Sequence, residues 1–420
     1  MKSYSSYKNS GMEWIGKIPN DWNRTFIKNL VDIKITDGPH LTPKWIDNGI
    51  PFLSVESIQN SKIDFSKRRG DILLEDHIEY SKKCKPILND ILLVKSGSVG
   101  KLCIVETEIE FNVWSPLCLI RINKKGLPKY YYYFFHTKYF QILLKLNCGI
   151  NTQPNIGMGV IENLKVIIPP KETQSQIVSF LDTKTQKIDE LIEKTEKKIE
   201  LLKEKRTSLI NHCVTKGLNP NVEMKDSGVE WIGEIPSGWD LIRLKYLFSL
   251  EGGKGPKNIQ EDDGQYPILG TGGEIDRGSD FLYDKPTLLL GRKGTIDKPF
   301  LFEEPFWVSD VMYYTIQKKD VTPKYLFLLF KLIPFEYFKY GSTQPSMSRL
   351  DYESMLFPIP PLKERSLITE YLDEQTQKID TTIEKETQRI GLLKEYRQSL
   401  ISEVVTGKID VRDYNEKVMK

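Results

Sequence analysis

The chain has 420 residues, of which 39% are hydrophobic and 28% charged, and its formal net charge is +3. This is typical of a globular protein with roughly two to four domains, and no run of about 18 apolar residues predicts a membrane span. Five scattered cysteines without CxxC spacing, and only four histidines, argue against a zinc site or a disulfide framework. Together with the polar, signal-free start, they predict reduced thiols and a cytoplasmic location.

Charge is unevenly distributed along the chain. Residues 1–170 carry a net charge of +7, whereas residues 217–361 carry −5. A protein that binds nucleic acid needs clustered positive charge on one face. If the second segment binds DNA, its basic residues must therefore be concentrated in a local patch.

Residues 1–170 predict a globular domain of mixed α and β structure. Short apolar runs at 50–55, 91–94 and 118–122 lie between clusters of Gly, Pro, Asn and Asp, which is typical of strands and turns. The aromatic-rich stretch at 130–146 predicts a helix packed on those strands.

A long helix is predicted at 171–216. Pro169 and Pro170 end the preceding strand and can start a helix, and residues 173–213 contain neither Gly nor Pro. Apolar residues recur there with an alternating spacing of four and three, as in the seam of a coiled coil. The apolar seam residues are Leu181, Ile188, Ile192, Ile199, Leu202 and Leu209.

The second half of the chain repeats the first. SGMEWIGKIPNDW at 10–22 returns as SGVEWIGEIPSGW at 227–239, and 20 of the 34 residues at 182–215 are identical to those at 373–406. Such self-similarity indicates a tandem duplication. It predicts a second mixed α/β domain at 217–361, with strands at 288–290 and 312–316 and a helix at 325–340, then a second long helix at 362–407 and a tail at 408–420.

The second long helix carries the same seam as the first. Each helix has one narrow apolar stripe and needs a partner, and the simplest partner is the other copy. We expect an antiparallel coiled coil with pseudo-two-fold symmetry, because this direction places one globular domain at each end. The apolar seam residues of the second helix are Leu372, Ile379, Ile383, Ile390, Leu393 and Leu400.

The centres of the two domains differ from each other. Residues 31–150 and 248–341 align only in patches, such as DILLVKSGSVGK at 90–101 with TLLLGRKGTIDK at 287–298. Shared ends with divergent centres predict a common frame that carries two different recognition surfaces.

The chain lacks the usual catalytic motifs. GSVGK at 97–101 is not a phosphate-binding loop, because Lys95 stands at the required first glycine and Leu102 at the Ser or Thr. No GxGxxG follows a strand, no GxSxG or HExxH occurs, and the proline pairs follow Ile instead of the Asn or Asp of an amino-methyltransferase motif. We therefore expect no catalytic residue, metal site or bound cofactor in this chain.

This organisation resembles the specificity subunit of type I restriction–modification systems. The resemblance rests on EWIGKIP and EWIGEIP, DGPHLTP, GIPFLSVESI, the KSGSVG and GRKGTI turns, TQPNI and TQPSM, and the helices that open with PPKE and PPLKER. It covers nearly the whole chain in the family's order. The second copy departs from the first at Asp297, where the first has Gly100, and offers EGGKGPKN in place of DGPHLTP.

The resemblance implies two target-recognition domains, each reading half of a split site in double-stranded DNA, with the helices as a spacer that docks two methyltransferase subunits. It implies that those subunits bind S-adenosylmethionine and that a restriction subunit uses ATP and Mg to translocate and cut. Two other functions remain open: a coiled-coil scaffold with protein-binding domains, and a nuclease or methyltransferase subunit whose active site these motifs do not reveal.

The first candidate DNA contacts are the turns that follow an apolar strand in each domain. Small residues let the backbone approach a phosphate, and a cation and a hydroxyl supply contacts; the alternative is a solvated hairpin turn. The turn residues are Lys95, Ser96, Gly97 and Ser98 in the first domain and Arg292, Lys293, Gly294 and Thr295 in the second.

Three further groups are candidates. A polar loop at 38–44, with a counterpart at 254–258, either contacts DNA or is an ordinary loop. Gln153 and Gln344 can pair with base edges, although a motif shared by both domains equally fits a structural turn. The basic run at 67–69 either binds phosphate or is exposed charge. The loop and run residues are Gly38, His40, Thr42, Lys44, Lys254, Lys257, Asn258, Lys67, Arg68 and Arg69.

Overall fold

The chain folds into two compact units in a computed structural model that describes residues 2–149, 153–338, 340 and 345–414. Unit 1 comprises Met1–Thr195 and Gln388–Lys420, and unit 2 comprises Glu196–Thr387. Each unit therefore combines one predicted domain with part of both predicted long helices.

Most strands of unit 1 are short, and the described residues form thirteen of them. They are β1 (Tyr7–Asn9), β2 (Lys17–Pro19), β3 (Asn23–Phe26), β4 (Thr36–Asp37), β5 (Ile50–Leu53), β6 (Ile58–Gln59), β7 (Lys62–Ile63), β8 (Gly70–Ile72), β9 (Ile91–Val94), β10 (Leu102–Ile104), β11 (Asn112–Val113), β12 (Leu117–Ile120) and β13 (Lys165–Ile168).

Two sheets form the centre of unit 1. The larger is antiparallel with the order β10-β9-β12-β4, and the smaller has the order β11-β5-β8 with β11 parallel to β5. Every residue of β9 and β12 is buried. This explains why their sequences are continuous apolar runs without polar alternation.

Unit 2 repeats this topology. Its described strands are β14 (Met224–Asp226), β15 (Glu234–Pro236), β16 (Asp240–Arg243), β17 (Phe248–Gly252), β18 (Tyr266–Gly270), β19 (Gly273–Gly278), β20 (Thr287–Gly291), β21 (Phe300–Phe302), β22 (Trp307–Val308), β23 (Met312–Gln317) and β24 (Leu356–Ile359). The larger sheet has the order β17-β23-β20-β21, and β22 is parallel to β18 in the smaller one. The duplication therefore includes the centres of the domains, where the sequences have diverged.

The described helices range from one turn to more than forty residues. They are α1 (Leu74–Ser81), α2 (Pro128–Phe135), α3 (Lys138–Leu146), α4 (Met158–Glu162), α5 (Lys171–Lys216), α6 (Leu244–Leu247), α7 (Pro323–Phe330), α8 (Arg349–Ser354) and α9 (Leu362–Val405). Short 3-10 turns lie between them. None of the helices within the described ranges is long and apolar enough to cross a membrane.

Two helix predictions were wrong in extent. The predicted helix at 130–146 is divided into α2 and α3, because the Thr137 hydroxyl accepts a hydrogen bond from the Phe140 N–H and starts a new helix. The predicted helix at 325–340 ends at Phe330, and Pro334 then precedes a 3-10 turn. Local capping and a proline decided both boundaries.

The long helices lie antiparallel within each unit. In unit 2, the Lys198 ammonium forms an ion pair with the Glu386 carboxylate (2.5 Å), and the Arg206 guanidinium forms one with the Asp380 carboxylate (2.9 Å). In unit 1, Asp189 bonds Arg397 of α9 (2.8 Å), and the Phe180 ring contacts Tyr414 beyond the end of α9. Partner numbers fall as residue numbers rise, which confirms the antiparallel direction expected from the sequence.

Burial follows the seam. All twelve apolar seam residues are buried or half-buried. Leu181 is fully buried, whereas Leu191 and Leu201, which lie on the same helix outside the seam, are 41% and 56% exposed. The core of unit 1 also includes Leu400 of α9 and Trp22, so a helix from the second half of the sequence completes the first domain.

Candidate nucleic-acid interface

In unit 1, the turn after β9 is fixed by the segment that leads into α4. The Gly97 N–H donates to the Pro154 carbonyl, and the Ile156 N–H donates to the Lys95 carbonyl, both at 2.9 Å. Gly97 has a φ of +78°, which favours glycine. Gln153 is exposed beside this turn. Two groups that the sequence proposed separately therefore form one surface.

Unit 2 builds the same arrangement. The Gly294 N–H donates to the Pro345 carbonyl (2.8 Å), and the Met347 N–H donates to the Arg292 carbonyl (3.1 Å). Gly294 has a φ of +86°. Gln344, the counterpart of Gln153, lies outside the described residues. The backbone frame of the turn is thus repeated although its side chains differ.

Lys95 does not stand free in its turn. Its ammonium lies 3.2 Å from a carboxylate oxygen of Asp37, and the two side chains are 11% and 1% exposed. Lys83 and His40 contact the same carboxylate at 2.5 and 3.3 Å. Burial alone would raise the pKa of Asp37, but hydrogen bonds from Lys83 and Lys95 hold it below its usual range. Lys95 is thus largely buried and paired with Asp37, and its contact with DNA stays a prediction.

Gly38 is likewise structural. It is buried, and a Cβ there would lie 1.6 Å from the Val113 carbonyl oxygen. The glycine lets two backbone segments approach closely, and its predicted contact with DNA stays untested. His40, Thr42 and Lys44, farther along the same loop, are exposed.

The counterpart of this loop in unit 2 follows β17. Asp37 is paired with β12, and Gly252 occupies the same position in unit 2, where it is paired with β23. A Cβ on the next residue, Gly253, would lie 2.0 Å from the Ser309 carbonyl oxygen. Glycine thus replaces the buried carboxylate of unit 1. The candidate side chains Lys254, Lys257, Asn258, Arg292 and Lys293 are all exposed, while Gly294 and Thr295 are half-buried.

A segment that sequence reasoning missed joins the candidates of unit 1. It comprises residues 114–116, between β11 and β12, and is called the hub here. The Ser115 N–H donates to the Pro39 carbonyl (3.2 Å), and the Lys95 N–H donates to the Pro116 carbonyl (2.8 Å). The hub therefore holds the 38–44 loop against the turn. Its sequence signal is a Trp-Ser-Pro break between two buried strands.

In unit 2, residues 307–311, which comprise β22 and the link to β23, have a similar role. The Arg292 N–H donates to the Val311 carbonyl (2.8 Å), and the Lys254 N–H donates to the Val308 carbonyl (2.9 Å). The Trp307 indole donates to the Lys254 carbonyl (2.8 Å). Backbone hydrogen bonds from one segment thus bring both candidate groups of unit 2 together.

The basic run at 67–69 contains three different environments. Lys67 is exposed. The Arg68 guanidinium donates to the Asp71 carboxylate and to the Phe65 carbonyl. The Arg69 guanidinium lies 4.6 Å from the centre of the Trp114 ring, against the hub. Arg69 therefore lies against the hub on the candidate surface, whereas the guanidinium of Arg68 is held by Asp71 and Phe65.

The surface of each unit offers groups suited to DNA. Cations, hydroxyls and amides stand on closely held loops, as contacts to phosphates and base edges require. Across the described residues, no group of three or more His, Cys, Asp or Glu side chains is arranged to hold a metal ion. The exposed cations, hydroxyls and amides are therefore suited to binding DNA.

Comparison with known families gives a match in both halves of the chain. A family model for the type I restriction modification DNA specificity domain matches residues 19–201 and 236–391. The putative type I restriction enzyme MjaX specificity subunit of Methanocaldococcus jannaschii is 28% identical over 429 residues, covering 95% of this chain and 96% of the relative. The MjaVIII specificity subunit of that organism is 23% identical and covers 95% of each chain.

Solved structures share the fold. A chain from a study of complex assembly and conformational transition of the type I R-M system has a TM-score of 0.75 at 13% identity, covering 93% of this chain and 99% of that one. The HsdS subunit from Thermoanaerobacter tengcongensis has a TM-score of 0.55 at 14% identity and covers 93% and 98%. At these identities the likeness concerns the fold alone.

Proposed function

Because the chain belongs to the specificity subunits of type I restriction–modification systems, we propose that it reads a split double-stranded DNA target, with one half-site for each unit. The observation that carries the proposal is the repeated loop frame. The turns at 95–98 and 292–295 make matching backbone bonds, but Lys95 is paired with a buried carboxylate and Arg292 is exposed. A shared frame with different side chains fits two readers of different sequences.

The partners follow from the family. Methyltransferase subunits, two in number, dock on the long helices and supply S-adenosylmethionine chemistry, and a restriction subunit supplies ATP- and Mg-dependent translocation and cleavage. The chain itself acts without catalysis, by binding and orienting DNA. The long helices set the distance between the half-sites.

Co-expression with the methyltransferase subunit of the same restriction–modification system tests the proposal. We expect sequencing of modified DNA to show methylated adenines in a split motif with a fixed gap. As an internal control, replacement of residues 248–341 by the same segment of another family member should change one half-site and preserve the other. A continuous motif, or none, contradicts the proposal.

A protein-binding scaffold is the competing function, and DNA binding separates the two. Contacts to phosphates release counterions, so affinity for duplex DNA falls steeply with salt. We expect the complex with the methyltransferase subunit to show this dependence. If the complex assembles but has no salt-dependent affinity for DNA, the scaffold function is correct.

A further inference from the structure

Two basic side chains at the candidate surface of unit 1 already have acidic partners. Lys95 is paired with the buried Asp37 and Arg68 with Asp71. A guanidinium or ammonium committed to a carboxylate would have to break that pair to bind DNA. These two candidates therefore hold the loops in place instead of reading bases.

Arg69 differs from its neighbours. Its backbone N–H donates to the Phe52 carbonyl (2.9 Å), which anchors the residue beside β5. Its side chain is exposed, and among the described residues it makes neither an ion pair nor a side-chain hydrogen bond. The nearby Glu56 is hydrogen-bonded to Ser54, which is the main reason that its pKa is lowered, and the charge of Arg69 lowers it further without a direct contact. All the N–H groups of the Arg69 guanidinium thus remain available.

Trp114 gives Arg69 a fixed support. The Trp114 N–H donates to the Leu53 carbonyl, and its carbonyl accepts from the Leu117 N–H, both at 2.9 Å. The half-buried ring lies 4.6 Å from the guanidinium carbon. A planar guanidinium on an aromatic face is held in one orientation while its edge stays free to donate hydrogen bonds.

The position is central to the surface. Through the hub, Trp114 adjoins the 38–44 loop and the turn at 95–98. A bidentate arginine contact to O6 and N7 of guanine is the commonest specific contact in the major groove. Resting on the proposed function, we infer that Arg69, held on Trp114, reads a guanine in the half-site bound by unit 1.

The assignment belongs to one half-site. In unit 2 the residue that follows β22, as Trp114 follows β11, is Ser309, so no aromatic ring stands at that position to support a cation. Loss of the Arg69 contact should therefore leave the other half of the motif unchanged.

The test uses the complex with its methyltransferase subunit and a library of random DNA sites. We expect Arg69→Lys and Arg69→Ala each to reduce discrimination at a single G·C pair of one half-site by roughly 5- to 150-fold. Lysine keeps the charge but lacks the planar fork, so it separates base reading from phosphate contact. Lys67→Ala is the matched control, because Lys67 is an exposed cation of the same run without an aromatic support. It should keep the motif and lower affinity uniformly.

Three results would overturn the assignment. Retention of the motif by Arg69→Lys means that the residue contacts phosphate. If discrimination falls equally at all positions of the half-site, or if the half-site contains no G·C pair, the guanine contact is also refuted. If the complex with the wild-type chain methylates no split motif, the proposed function itself is refuted. If it methylates a split motif that neither Arg69 variant changes, only this inference is refuted. Unchanged thermal unfolding of both variants excludes a folding defect.

Discussion

At the residue scale, the carboxylate of Asp37 connects the candidate surface to stability. Removing one hydrogen-bond donor from a buried carboxylate that keeps another cation costs about 1–3 kcal/mol. An exposed ion pair contributes about 1 kcal/mol or less. Lys95 and Lys83 contact the same carboxylate but are 11% and 53% exposed. They therefore provide a matched pair of substitutions.

We expect Lys95→Met to lower the free energy of unfolding of unit 1 by about 1–3 kcal/mol, because it removes the buried donor of the Asp37 carboxylate while Lys83 still compensates the charge. Lys83→Met should cost about 1 kcal/mol or less. Calorimetry of the full-length chain measures both, and the transition of unit 2 serves as the reference. Equal effects would mean that Lys95 is not a buried partner.

The same carboxylate predicts a dependence on pH. The folded pKa of Asp37 lies below its ordinary value of 3.8, so the ionised form stabilises the folded state. This contribution is complete above the unfolded pKa and is lost as the pH falls through the folded pKa. The stability difference between wild type and Asp37→Asn should therefore be constant above about pH 5 and should shrink in stronger acid. A difference that grows in acid would reverse the assignment.

These residues also show where sequence reasoning ends. The loop at 38–44 and the turn at 95–98 are recognisable from their composition, but nothing local indicates that Asp37 and Lys95 are neighbours. Antiparallel pairing of β4 with β12, and of β12 with β9, creates that contact. Similarly, the hub acts through backbone hydrogen bonds, which leave no side-chain pattern to recognise.

At the element scale, the long helices are the feature that the sequence predicts best. The spacing of four and three extends over many turns, and each repeat adds to the same evidence for one buried stripe. The short helices of the domains lack such a repeat. One capping hydroxyl at Thr137 and one proline at Pro334 decided where they end, and tertiary contacts in each unit determined the rest.

The seam yields a prediction with its own control. Leu181→Ala should lower the free energy of unfolding of unit 1 by about 2–5 kcal/mol, since the side chain is fully buried. Leu191→Ala, on the same helix but outside the seam, should cost less than about 0.5 kcal/mol. Denaturant titration of the full-length chain gives both values. Similar losses would show that the stripe is not the packed face of the helix.

At the scale of the whole molecule, duplication explains how the two units share one frame. The larger sheets of both units have the same strand order, and their turns are fixed by the same backbone bonds. Sequence identity survives mainly at the domain ends and in the helices, where one structure serves both copies. The centres have kept the topology while their exposed side chains diverged, which is expected when the frame and the proposed reading surface are selected separately.

If the long helices set the distance between the half-sites, as proposed, shortening both helices should shorten the gap. Removing residues 190–196 from α5 and 389–395 from α9 retains the seam spacing and the residues of the Asp189–Arg397 and Lys198–Glu386 pairs. Seven residues correspond to about 10 Å of helix, or about three base pairs at ~3.4 Å each.

We therefore expect the methylated motif to keep both half-sites and lose about three base pairs from its gap. The rate of methylation should also fall, because three base pairs turn the duplex by roughly a third of its ~10.5-base-pair repeat. The control replaces residues 190–196 with the sequence at 381–387, which has the same length and seam position, and should leave the gap unchanged. If the complex with a folded deletion variant still methylates a motif with the original gap, these helices do not set the spacing.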